Sequence, residues 1–204
     1  MLVLKRLSRA IAEGDRVYAV IRGSAVNQDG LSQGIMAPNG PAQVRVIRSA
    51  LANARVAAKD VAYVEAHGTG TKLGDPIELQ ALGNVYGQAA ERAAPLLVGS
   101  LKTNIGHSES AAGVAGIIKV AKALQQGLIP PQLHFHDANP FVDLHAENIQ
   151  ICVERQAWPC STQPAEAAAA PRLAGVSSFG FSGTNAHIIL ASYTPPAHSD
   201  AGQA

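Results

Sequence analysis

The chain has 204 residues and a mass of 21.1 kDa, is 47% hydrophobic and 15% charged, and carries a formal charge of +1. That is apolar material for the core of one domain without disulfide staples. The 16 Lys+Arg against 15 Asp+Glu give no electrostatic case for nucleic acid or an anionic membrane, and 4% aromatics supply no base-stacking platform.

The predicted elements alternate between helix and strand. Residues 2–12 carry Leu4, Leu7 and Ile11 at helical spacing, and Gly14-Asp15 ends that stretch. Val17–Arg22 is β-branched and strand-like, whereas Ala25–Gly40, with Gly30, Gly34, Pro38 and Gly40, reads as an ordered loop. Pro41–Ala54 is a helix with proline at its first position. Val61–Glu65 is a short strand leading into His67-Gly68-Thr69-Gly70-Thr71, and Asp75-Pro76 opens a helix to about Tyr86. Leu96–Ser100 is a strand, followed by the Lys102–His107 turn and a helix from about Ser108 to Gln126, which Pro130 and Pro131 end. Ile149–Glu154 is strand-like and 160–171 is a Ser/Ala/Pro-rich loop. Leu173–Ser178 and Ala186–Leu190 form a hairpin around FGFSGTN, and the domain ends near residue 190, with 191–204 a linker or disordered tail. Alternation that finishes in a hairpin implies an α/β layer structure with a mixed sheet. No run approaches the roughly 18 uncharged apolar residues of a membrane span. The N-terminal MLVLKRLSRAIAEGD lacks a signal-peptide pattern, so a soluble cytoplasmic protein is expected.

Three small-residue turns follow three strands: HGTGT at 67–71, KTNIGH at 102–107 and SFGFSGTNAH at 178–187. Ligand sites in α/β folds gather at strand carboxyl ends, so the three turns are candidates for one pocket. His107 directly precedes the predicted helix, whose positive end disfavours protonation. A neutral imidazole can donate one N–H to a developing oxyanion while its other nitrogen fixes the tautomer. Lys102, on the same turn, disfavours the imidazolium further. A lone histidine is more often a satisfied surface or hydrogen-bonding residue; two, each beside a glycine at a strand end, are not so easily dismissed.

Competing motifs fail. HGTGTKLG does not give GxGxxG and no phosphate-binding lysine follows it, so a nucleotide loop is not expected. FSGTN is not a GxSxG elbow, which makes Ser182 a poor nucleophile. His134, His136 and His145 lie in a Pro-bounded polar stretch without a carboxylate at metal-ligand spacing, so no metal is expected. Cys152, in a strand pattern, and Cys160, in a low-complexity loop, have no basic partner or helix N-terminus to activate them. Gly113 and Gly116 suit a helix packed backbone-close at the centre of the fold.

VEAHGTGTKLGDPIEL (64–79), KTNIGHSESAAGVAGIIK (102–119) and GVSSFGFSGTNAHIIL (175–190) together resemble the C-terminal half of β-ketoacyl synthases, in the variety found in modular type I polyketide synthases. IRGSAVNQDG (21–30), PPQLHFHDANP (130–140) and Trp158-Pro159 are similar to that family too. The resemblance implies an α/β, thiolase-like fold, here its C-terminal half with a mixed five-stranded sheet and a buried central helix. It implies acyltransferase chemistry: decarboxylative Claisen condensation of an acyl chain with a malonyl-type extender. His67 and His107 match the family's two catalytic histidines, and Lys102 the lysine that organises the second, with Glu78 and Glu109 as its candidate ion-pair partners. Thr69 and Thr71 match hydroxyls that contact the phosphopantetheine arm. Phe179, Gly180 and Phe181 match the gating turn, where the Phe181 N–H helps form an oxyanion hole, and Asn185 belongs with the substrate-binding set. No cofactor is implied beyond the phosphopantetheine of an acyl carrier protein, which is one expected partner. The others are a cysteine-bearing N-terminal half and a second copy of the complete domain. The family's nucleophilic cysteine lies in a DTACSS-like segment, and these 204 residues contain none. The expected unit is therefore a partial domain that is not competent alone. A non-catalytic module that binds acyl chains or carrier protein, or a non-functional remnant, are the alternatives, and the retained histidine pair argues against the first.

Overall fold

The computed structural model describes residues 1–30, 38–159 and 170–195. In chain order its elements are α1 (Leu7–Ala12), β1 (Val20–Gln28), α2 (Gly40–Ala54), β2 (Val61–Glu65), α3 (Gly74–Leu82), β3 (Leu96–Gly99), α4 (Lys102–Ile105), α5 (Ala112–Gln126), β4 (Leu128–Ile129), β5 (Ile149–Ile151), β6 (Gln156–Ala157), β7 (Leu173–Phe179) and β8 (Thr184–Ala191). The main sheet has six strands in the order β1-β8-β7-β2-β3-β5, not the expected five. β1, β8 and β7 run antiparallel, while β7, β2, β3 and β5 are parallel. β4 and β6 form a separate two-stranded ladder.

The central strands β2, β3 and β7 are buried on both faces, and their residues feed two apolar clusters. Val61, Val64, Leu96, Val98 and Ile189 join Val46, Ile47 and Leu51 of α2 on one face. Tyr63, Leu97, Ala174, Val176 and Leu190 join Val120 and Leu124 of α5 on the other. This helix–sheet–helix layering is what a sheet with two apolar faces requires. It also puts the C-terminal ends of β7, β2 and β3 side by side on one edge, because the three are adjacent and parallel.

Several boundaries differ from the sequence reading. β1 continues through Ala25–Gln28, which read as loop. Among the described residues it is an edge strand that pairs only with β8, so polar residues on its open side do not end it. Gly23 is needed there: a Cβ would come within 2.4 Å of the Ala54 backbone N, where α2 crosses the strand. α1 is shorter than 2–12, and its apolar stripe does not face a core: Leu4, Leu7 and Ile11 are exposed and only Ala10 is buried. The α2 start follows its residues, with Asn39 Oδ1 accepting the Ala42 N–H at 3.0 Å. α5 ends at Gln126 with Gly127 left-handed (φ 65°), ahead of the prolines expected to stop it. The hairpin turn is tighter than FGFSGTN, since Phe179 ends β7 and Thr184 starts β8. β8 carries through Ala191, the first residue of the expected tail. Gly34, Cys160, most of the 160–171 loop and residues 196–204 lie outside the described residues.

Candidate active site

Two carboxylates hold the loop after β2. Glu78 of α3, almost fully buried, accepts the backbone N–H groups of His67 (2.7 Å) and Gly68 (2.8 Å). Asp75 Oδ1 accepts the N–H of Gly70 at 3.0 Å, and Thr71 Oγ1 accepts that of Gly74 at 3.0 Å. Burial pushes the Glu78 carboxyl up to about 7 against the pull of its two N–H donors. Gly68 has φ 47°, and a Cβ there would lie 2.8 Å from Ser100 Cβ on the neighbouring turn, so glycine answers both the conformation and the close approach. Ala66 N–H to Gly99 O, 2.8 Å, carries the β2–β3 register into the site.

The Lys102–His107 turn is built differently from its sequence reading. α4 covers Lys102–Ile105 and a single 3₁₀ turn covers Glu109–Ala111 before α5 begins at Ala112. His107 is therefore not at the N-terminus of the long helix, and the dipole argument does not apply to it. What fixes the ring is local: the backbone N–H of Glu109, a residue with φ 49°, donates to His107 Nδ1 at 2.9 Å. With Nδ1 accepting, the neutral imidazole carries its proton on Nε2, a donor facing outward. Lys102 makes no ion pair with Glu78 or Glu109 among the described residues. Glu78 is spent on backbone donors, and Glu109 contributes its N–H rather than its carboxylate.

The two rings meet edge to face, centroids 5.5 Å apart and planes at 81°, with Phe179 5.7 Å from His67. His67 Nδ1 is buried without a hydrogen-bond partner, which leaves Nε2 as the nitrogen able to meet a ligand. Its basicity drops to about 4, through burial first, then the Lys102 ammonium, then His107. Lys102 thus acts on His67 through space.

Both histidines line a cavity of about 430 Å³. Thr69, Thr71, Glu78, Phe179, Gly180, Phe181 and Asn185 line it too, so all three turns reach one space. Lys102 and Glu109 do not line it. Sequence reasoning missed Asp29 and Gln43, which complete the wall beside Asn185. Asn185 Nδ2 donates to Asn27 Oδ1 (3.1 Å) and Asp29 Oδ1 (2.6 Å), so the end of β1, taken for loop, is part of the site. It missed the buried ion pair of Lys119 and Glu65 as well, at 2.6 Å.

Cys152 is buried, its thiol donating to Glu154 O and accepting from Gln156 Nε2, and it does not line the cavity. Among the described residues no cluster of His, Cys, Asp and Glu could hold a metal ion, and no helix is long and apolar enough to cross a membrane.

The profile of the β-ketoacyl synthase C-terminal domain matches residues 18–136. The chain is 52% identical over 204 residues to polyketide synthase GfsE of Streptomyces halstedii and 55% identical over 189 residues to erythronolide synthase EryA2 of Saccharopolyspora erythraea. These matches cover 99% and 93% of the chain but only 5% of either relative, so it spans a small part of their length. Among solved structures it is similar to the oxazolomycin ketosynthase domain OzmH KS7 of Streptomyces albus JA3453, with TM-score 0.88 and 42% identity over 95% of this chain and 34% of that one. The ketosynthase from module 6 of the bacillaene synthase of Bacillus subtilis 168 gives TM-score 0.87 and 40% identity over 94% of this chain and 33% of its own. With a thiolase-like α/β fold and motifs shared across its length, the chain belongs to the β-ketoacyl synthase family, as a C-terminal domain of the modular polyketide synthase kind.

Proposed function

We propose that this chain supplies the decarboxylation and condensation half of a polyketide ketosynthase site. The observation that carries the reading is the pair of imidazoles, 5.5 Å apart on the wall of one cavity, one with its tautomer fixed and the other held neutral by burial and Lys102. A malonyl-type thioester on the phosphopantetheine arm of an acyl carrier protein enters with its thioester oxygen toward the two Nε2 atoms. Loss of carbon dioxide leaves an enolate, and the two N–H donors hold the negative charge that develops on its oxygen. The enolate carbon attacks the acyl group carried on a cysteine, the C–S bond breaks, and the thiolate departs as the new C–C bond closes. That cysteine comes from an N-terminal half of the domain, outside these 204 residues. Thr69 and Thr71, which line the cavity, offer their hydroxyls to the arm, and the Phe181 N–H serves the acyl oxyanion. The complete domain works as a homodimer.

The test is a split assay on a domain reconstituted with a cysteine-bearing half. His67→Ala or His107→Ala should lower decarboxylation of a malonyl-loaded carrier protein by about 10²–10³-fold, the usual loss for one oxyanion donor. Acylation of the cysteine should survive much better. Equal loss of both half-reactions would remove the proposed role.

A further inference from the structure

Glu65 is the last residue of β2 and stands two residues before His67, yet it does not line the cavity and is only 3% exposed. Its Oε2 accepts from Tyr63 OH at 2.7 Å and from Lys119 Nζ, on α5, at 2.6 Å. Its Oε1 accepts the backbone N–H of Leu101, the residue just before α4, at 2.5 Å. His107 lies between α4 and α5. Both elements that flank this histidine are thus fastened to one carboxylate, and that carboxylate is continuous with the strand that carries the other histidine. α5 rests directly on it, since a Cβ at Gly116 would approach Glu65 Cγ to 3.2 Å.

A buried ion pair is a weak source of stability, because desolvation offsets much of the attraction, and an apolar pair of similar volume often folds as well. Direction is what it supplies: three donors converge on two oxygens from three separate segments. From this junction we infer that Glu65, paired with Lys119, is a positioning residue that sets the His107 turn in register against His67, so that both Nε2 atoms reach the same oxyanion. The inference rests on the proposed role of the histidine pair. A misplacement of about 1 Å can cost roughly 10²-fold in rate, so the register is worth fixing.

Three variants of the complete, reconstituted domain test it, each assayed for decarboxylation of a carboxyl-labelled malonyl carrier protein and for acylation by a labelled acyl thioester. Glu65→Asp keeps the charge and the ion pair but withdraws the carboxylate by one methylene; decarboxylation should fall about 10–100-fold with acylation unchanged. Glu65→Leu/Lys119→Met removes the tether without stranding a charge and should show the same selective loss. Glu65→Gln/Lys119→Met keeps an oxygen for the Leu101 N–H but frees α5, so its decarboxylation should fall between that of wild type and that of the Leu/Met variant. Nitrogen-15 NMR of the His107 ring gives a readout independent of turnover. The Nε2–H tautomer should persist in the Gln/Met variant and become mixed in the Leu/Met variant, with the His187 signals unmoved in both. Wild-type decarboxylation in Glu65→Asp, or parallel loss of both half-reactions, would overturn the positioning role. If His107→Ala itself leaves decarboxylation intact, the histidine reading fails and this role falls with it. A normal His107→Ala loss beside an unaffected Glu65→Asp removes the positioning role alone.

Discussion

Lys102 acts on the His67 imidazole without forming an ion pair among the described residues. Its ammonium is half-buried, and burial lowers its own basicity, while Glu78, Glu65 and Asp75 act on it only at a distance in the opposite direction. After burial, it is the largest influence on His67, whose imidazole it helps to hold neutral down to about pH 4. Neutrality matters because an imidazolium would already be charged in the ground state and would not respond to the forming enolate as a poised donor does. Removing Lys102 takes away a cation that disfavours protonation, so the His67 pKa rises from about 4 toward the ordinary 6.5, with burial still opposing. In Lys102→Ala the acid limb of the decarboxylation pH–rate profile should therefore move to higher pH. An unmoved limb would leave Lys102 with a purely structural role.

At the level of elements, the β7–β8 hairpin holds a titration that should dominate acid stability. His187 of β8 is fully buried, its Nε2 2.7 Å from Tyr86 OH and its Nδ1 3.0 Å from Ser177 Oγ, and burial lowers its pKa to about 3. The unfolded chain protonates near 6.5, so between about 6.5 and 3 it binds more protons here than the folded chain and stability falls as pH falls. His67 acts with the same sign between about 6.5 and 4, whereas Glu78, raised from 4.5 to about 7, favours the folded state at low pH and loses that contribution as pH rises. These two oppose each other over most of their ranges, which leaves the His187 slope, on the order of 4–5 kcal/mol across its full window. Denaturant unfolding at several pH values should show His187→Asn less stable at neutral pH but with a flatter acid dependence; an unchanged slope would place the proton uptake elsewhere.

The same elements show what the sequence could and could not disclose. The glycine-bounded histidines at strand ends were readable because β2, β3 and β7 announce themselves as apolar runs ending in small residues, and parallel pairing brings such ends together. Asp29 was not, because it follows an edge strand whose polar alternation imitates a loop, and Gln43 was not, because a glutamine in the first turns of α2 reads as solvent-facing although it is buried. The inward turn of Lys119 was not legible either, because it depends on the packing of Gly116 against Glu65 across the sheet, which brings the buried carboxylate to the helix. The Lys102 partners were misplaced for a related reason: spacing along a chain says which carboxylates are near, not which backbone donors already occupy them.

For the molecule as a whole, the sheet buries α5 on one side only. Gly116, Val120, Ala123 and Leu124 face the sheet, while Val114 and Ile118, each 40% exposed, point outward until Lys122 ends the apolar stripe. Ile105 on the adjoining turn and Phe181 at the cavity mouth are more exposed still, at 59% and 72%. Soluble monomers rarely keep contiguous apolar patches beyond about 300–600 Å² open to water. On the proposed function, a cysteine-bearing half is available to cover this face. Produced by itself, the 204-residue chain should consequently self-associate or bind a hydrophobic dye, and co-expression with such a half should yield a discrete complex that does neither. Size-exclusion chromatography with dye titration decides the matter. A monodisperse 21.1 kDa species that melts cooperatively and takes up no dye would mean that the α5 face tolerates water, and that the partner is needed for chemistry alone.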